Sequence, residues 1–123
     1  MKKTGLVLVG HGSRLEGFER AMLKVARRLR RKRVFSEVRC AYLEITPPSI
    51  AQAVDEMIQR EMEKVFILPY FLLKGRHTQE DIPAHAKALR SKYKKKAKII
   101  LCPYLGYHAA LADIVCERVR EAR

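Results

Sequence analysis

Apolar positions along the chain follow two alternating rhythms. Thr4 to Val9 (TGLVLV) is a continuous valine- and leucine-rich run without strict alternation. That is the pattern of a strand buried on both faces, as in a parallel sheet. From Glu16 the spacing becomes helical: Phe18, Met22, Val25 and Leu29 form one stripe, with Arg20, Lys24, Arg27, Arg28 and Arg31 filling the remaining positions. Val38 to Leu43 (VRCAYL) reads as a second strand. Pro47-Pro48-Ser49 then opens a helix bearing Ile50, Val54, Met57 and Ile58. Val65 to Leu73 (VFILPYFLL) is the most apolar segment and reads as a central strand. Proline lacks the amide that a sheet ladder needs, so this strand is expected to bend or end near Pro69. Lys74 to His77 forms a loop, and a helix follows from Thr78 or Gln79 with Ile82, Ala86 and Leu89 on one face. Lys98 to Cys102 is the fourth strand and Pro103 to Gly106 a turn. Tyr107 to Glu121 is the last helix, carrying Leu111, Val115 and Val119.

The order is strand then helix, four times over. Such alternation predicts an α/β fold with a four-stranded parallel sheet and helices on both faces. Neither a linker nor a repeat interrupts it, so residues 1–123 are expected to form a single domain.

Composition narrows the class. Hydrophobic residues make up 48% and charged residues 32%, which suits a soluble globular chain rather than a disordered one. No apolar run approaches the ~20 residues that span a bilayer. Lys2 and Lys3 precede only the short run Leu6 to Val9, too brief for a signal peptide, so a cytoplasmic location is expected. Cys40, Cys102 and Cys116 are an odd number without CxxC spacing. They are expected to pack as small hydrophobes rather than to form disulfides or a zinc site.

Charge changes the picture more. Lys plus Arg number 26 against 13 acidic residues, a net +13. This favours a polyanionic partner: nucleic acid, an anionic surface, or a small molecule with several carboxylates. The basic stretches Arg27 to Arg33 and Lys92 to Lys98 lie at helix ends, where cations complement the helix dipole. They lack the interleaved aromatics of a single-strand-binding platform, so nucleic acid is the weaker reading.

Ligands of open parallel sheets bind outside the carboxyl ends of the strands. The four predicted ends carry His11-Gly12-Ser13-Arg14, Glu44, Gly75-Arg76-His77 and Gly106-Tyr107-His108. Three of the four histidines thus fall on one predicted edge. GxGxxG, GxxxxGK[ST] and GxSxG are all absent, which removes phosphate-loop and serine-hydrolase readings. Each histidine read singly also suits a packed turn, a solvent-facing loop or, for His108, a helix cap. His85 falls inside a helix, where a structural role is expected. Two imidazoles with one carboxylate, Glu44, make an incomplete cage. Structural metal sites close four ligands, whereas working sites leave positions open, so the set fits metal transfer better than storage. Imidazole suits cobalt, nickel, iron or zinc alike.

The segments GLVLVGHGSR, YLEITPPSI, LPYFLLKGRHTQEDIP and PYLGYH, in that order, resemble the class II tetrapyrrole chelatases. The chain looks most like their short, single-domain sirohydrochlorin cobaltochelatases of the CbiX type. The resemblance implies insertion of Co2+, or Ni2+ in some relatives, into sirohydrochlorin during cobalamin biosynthesis, with no cofactor beyond the substrate metal. It makes His11 a metal ligand and proton acceptor and His77 the second ligand. It places Glu44, Pro47, Leu72, Leu73, Lys74, Gly75 and Arg76 around the macrocycle, although relatives often carry a polar residue where Pro47 stands. Arg14, Lys74 and Arg76 suit carboxylate clamps. Longer relatives hold two such domains, which implies a homodimer here. The competing readings are an iron or nickel chelatase on the same ring, a carrier of metal or tetrapyrrole without turnover, and a nucleic-acid-binding domain.

Overall fold

The computed structural model describes residues 3–122. Four strands form one all-parallel sheet: β1 (Thr4–Gly10), β2 (Glu37–Tyr42), β3 (Lys64–Pro69) and β4 (Lys98–Leu101), in the spatial order β2-β1-β3-β4. Helices α1 (Arg20–Lys32), α2 (Ile50–Gln59), α3 (Ile82–Lys92) and α4 (Ala110–Glu121) follow the strands in turn. β1 is flanked on both sides, Leu6 pairing with Val38 of β2 and with Phe66 of β3. That explains its unbroken apolar run: Gly5 to Gly10 are all buried. Alternate residues serve two cores. Val7, Val9, Val65 and Ile67 face α2 and α3, packing on Ile50, Val54, Met57, Ile82 and Leu89. Leu6, Leu8, Val38 and Cys40 face α1 through Met22 and Ala26.

Local signals place the element ends. Ser49 caps α2, its hydroxyl accepting the Gln52 amide while the Gln52 side chain accepts the Ser49 amide, a reciprocal capping box. α1 starts at Arg20 rather than near Glu16. Gly17 takes φ +79° within a turn, and Phe18, although at helical spacing, packs from that turn on the Tyr42 ring at 5.5 Å. β3 ends at Pro69, four residues short of the apolar run's end. The proline is tolerated on an interior strand because of where its missing amide would point. The Tyr70 amide bonds the Val9 carbonyl on the β1 side, so position 69 faces β4, and β4 stops opposite Ile67.

The last helix departs most from expectation. It begins at Ala110 rather than Tyr107, and none of its side chains is buried. Val115 and Val119, expected on the core, are 61% and 59% exposed. Cys116 is exposed for the same reason, whereas Cys40 is buried and Cys102 half-buried. Burial pushes both of those thiols above the ordinary cysteine range. Among the described residues no helix is long and apolar enough to cross a membrane.

Candidate functional site at the β1–β3 switch point

β1 and β3 are neighbours, yet the chain leaves them in opposite directions. β1 leads to α1 on one face and β3 leads to α3 on the other. Their connections diverge and leave a crevice at the carboxyl edge, the place where such sheets bind ligands. His11 directly follows β1, and His77 opens the turn before α3. Their ring centroids lie 4.8 Å apart with planes tilted by 46°. The rings are 48% and 40% exposed, so both remain open to an incoming ligand.

Each imidazole has a carboxylate partner. His11 Nε2 lies 3.0 Å from Glu44 Oε1. His77 Nδ1 donates to Asp81 Oδ2 at 2.7 Å. A carboxylate that accepts from Nδ1 places the ring proton there and leaves Nε2 as the nitrogen available to a ligand. The Phe71 ring backs it at 6.1 Å.

The backbone around these rings is tightly held. The amides of Leu43 and Glu44 bond the carbonyls of Gly10 and His11, fastening the β2 end to the β1 end. Gly12 has φ +102°, and a Cβ there would overlap the Glu44 carbonyl oxygen, so only glycine allows this approach. Thr46 closes the same loop: its Oγ1 accepts the Ser13 amide and donates to the Ser13 carbonyl. On the other side His77–Asp81 is a single π-helical turn, a form concentrated at functional sites. Thr78, a buried polar residue, ties it down through Oγ1 bonds with the amide and carbonyl of Gly75 at 3.0 Å. The sequence places the start of this helix at Thr78 or Gln79, one or two residues later, and does not mark Thr78 or Asp81 as site residues. The i, i+4 spacing of His77 and Asp81 was the available signal.

The other expected contact residues are distributed unevenly. Leu72, Leu73, Lys74, Gly75 and Arg76 form an exposed loop immediately before His77, with Leu73 82% exposed. Arg76 pairs with Glu80 at 3.3 Å. Arg14 and Pro47 line a separate cleft of about 480 Å³ beneath the Ser13–Glu19 loop. His108 is exposed and accepts the Ala110 amide on Nδ1, a cap rather than a member of the histidine pair. His85 is exposed on α3. Among the described residues no three His, Cys, Asp or Glu side chains close into a metal cage. The site is an open pair of rings, able to hold an ion by two nitrogens and to accept protons.

A family model described as CbiX matches residues 5–122. The sirohydrochlorin cobaltochelatase of Sulfolobus acidocaldarius is 30% identical over 118 residues, spanning 96% of this chain and 91% of that one. The chloroplastic sirohydrochlorin ferrochelatase of Arabidopsis thaliana is 29% identical over 94% of this chain and 51% of its own length. The sirohydrochlorin chelatase SirB of Bacillus subtilis subspecies spizizenii, solved in complex with cobalt, shares the fold with a TM-score of 0.87. It is 20% identical, the match covering 97% of this chain and 50% of that structure. The chain thus spans about half the length of the last two proteins and nearly all of the first.

Proposed function

The chain belongs to the CbiX family, and we propose that it is a sirohydrochlorin cobaltochelatase, inserting Co2+ into sirohydrochlorin on the way to the corrinoids. The observation that carries this reading is the 4.8 Å approach of His11 and His77 at the switch-point crevice, each ring backed by its own carboxylate. Cobalt is chosen over iron because the relative that matches nearly end to end bears that name.

Insertion exchanges two pyrrole N–H protons for one divalent ion. Two tasks follow, and the two rings divide them. His77, with Nδ1 engaged by Asp81, presents Nε2 as a ligand. His11 faces Glu44, which stabilises the imidazolium formed when the ring takes a pyrrole proton; the half-exposed ring passes that proton to solvent and then takes the second. Two protein nitrogens hold an ion less tightly than a closed set of four, so the macrocycle can win it. Holding ring and ion together replaces a slow encounter with a local transfer. The net charge of +13 attracts a carboxylate-rich ring. Exposed Lys74 and Arg76 stand beside His77 to clamp its carboxylates, with Leu72 and Leu73 offering an apolar surface to its face. On this reading the chain works as a homodimer whose second copy supplies the opposite wall.

The test is to mix the protein with sirohydrochlorin and Co2+, Ni2+ or Fe2+ in turn and follow the absorption change of insertion. Acceleration is expected for Co2+ above the protein-free rate. Faster insertion of iron or nickel reassigns the metal. Binding of ring and ion without acceleration makes the protein a carrier.

A further inference from the structure

Among the described residues three non-glycine positions take a positive φ: Arg33 at 56°, Ile45 at 68° and Glu61 at 64°. Two have an ordinary cause. Arg33 closes α1, its amide returning to the Arg30 carbonyl. Glu61 follows α2, and the amides of Glu61 and Met62 return to the carbonyls of Ile58 and Met57, the left-handed ending of many helices. Ile45 comes after a strand. The Thr46 amide donates to the Glu44 carbonyl at 2.7 Å across it, so these three residues form a γ-turn of positive φ, a rare and strained form. A β-branched side chain makes that φ costlier still, and with Ile45 53% exposed little burial offsets the cost. The turn persists because both flanks are pinned. Glu44 is bonded to His11 and packed on Gly12, and the Thr46 hydroxyl bonds the Ser13 amide and carbonyl.

The strained residue adjoins Glu44, whose carboxylate lies 3.0 Å from His11 Nε2. That nitrogen is open to an ion only when Glu44 withdraws. We propose that Ile45 is a positioning residue that loads this withdrawal: its turn is strained while Glu44 lies on His11 and relaxes to negative φ when Glu44 leaves. Relaxation turns the Glu44–Ile45 peptide, and with it the backbone from which the carboxylate reaches. The Glu44 side chain is 56% exposed and has room to move. Strain confined to one of two states shifts their populations by its own free energy. A residue at ease in the left-handed region would instead leave Glu44 seated and His11 closed. The inference deepens the chelatase reading and rests on that reading's assignment of His11 as a metal ligand; it adds residue 45 as the determinant of how readily that ligand is released.

The test compares four substitutions at this one position. Ile45→Val and Ile45→Thr keep the branched Cβ and hence the strain, the second with a polar side chain. Ile45→Asn and Ile45→Gly relieve it, because both residues adopt positive φ readily. Urea unfolding is expected to raise the midpoint of Ile45→Asn by roughly 0.5 M and to leave the two branched variants close to the parent. Titration with Co2+ alone is expected to show Ile45→Asn and Ile45→Gly weakened about 10-fold, with the branched variants near the parent. The loss for Ile45→Asn should match its gain in folding constant, because one strain causes both. In the insertion assay KM for Co2+ should rise by the same factor while kcat is kept. Ile45→Thr binding Co2+ as weakly as Ile45→Asn makes the side chain a contact rather than a source of strain, and overturns the proposal. So does an unchanged midpoint in Ile45→Asn, or a stabilised Ile45→Asn with the parent's Co2+ affinity. If the parent binds Co2+ yet does not accelerate insertion, the chelatase reading fails and the Co2+ titration still decides this one. A parent without a Co2+ site overturns both.

Discussion

Replacing Gly12 by alanine probes the contact that brings the β1 and β2 ends together at the site. The added methyl meets the Glu44 carbonyl group, whose carbon lies 3.0 Å from the new Cβ and whose oxygen it overlaps. The residue also keeps φ +102°, a conformation that costs an L-residue about 1–2 kcal/mol. Relief requires the Glu44 backbone to retreat, and that backbone is fixed by the Leu43 and Glu44 amides bonded to Gly10 and His11 at 3.0 and 3.1 Å. Losing those two bonds adds about 1–3 kcal/mol. The expected loss is therefore about 2–5 kcal/mol, a large share of the ~5–15 kcal/mol available to a domain. Gly75→Ala is the control, because its Cβ meets nothing within 4 Å and its φ is not positive. It should be neutral, or stabilise by a few tenths of a kcal/mol through the unfolded chain. Urea unfolding of both variants measures the difference, and the insertion assay should show Gly12→Ala impaired under conditions where it is still folded, since Glu44 is displaced from His11. If Gly12→Ala is as stable as Gly75→Ala and as active as the parent, the close approach of these two strand ends is wrong.

Two further outcomes follow from named contacts. Asp81→Ala should cut cobalt affinity and insertion rate by roughly 10-fold, the low end for a partner that orients a metal-binding histidine, because the pair is about 40% exposed. Asp81→Asn, still able to accept from Nδ1, should lose less, and equal activity of all three proteins would remove Asp81 from the account. Tyr93 donates to Asp55, joining α3 to α2, and that bond, followed by burial, raises the Tyr93 pKa. The folded state therefore favours the neutral phenol: its contribution is intact below about pH 10 and is lost as pH climbs through the raised value. Tyr93→Phe should cost about 1–2 kcal/mol at neutral pH and flatten the alkaline fall in stability, as seen in urea midpoints from pH 8 to 11.

Much of this architecture was legible because parallel strands leave unbroken apolar runs: β1 is such a run buried on both faces, and β3 one buried at alternate residues. Boundaries failed where an apolar side chain packs from outside its element. Phe18 joins the α1 core from a turn. Phe71 packs on the other core beyond the end of β3. Strand order is a tertiary property, so the sequence showed histidines near strand ends, while the β2-β1-β3-β4 order shows why two of them meet. Asp81 was missed because an acid in the first turn of a helix already has a reason to be there. The stripe on α4 told which residues seek burial but carried no information about which surface receives them.

The most direct test titrates the protein with Co2+ alone, by calorimetry or by the visible bands of the bound ion, for the parent, His11→Ala, His77→Ala and the double variant. One shared ion predicts a single site per chain, weakened at least about 10-fold by either substitution, with the double variant far less impaired than the sum of the two. A parent-like affinity in either single variant, or two losses that simply add, would contradict a common ion between these rings.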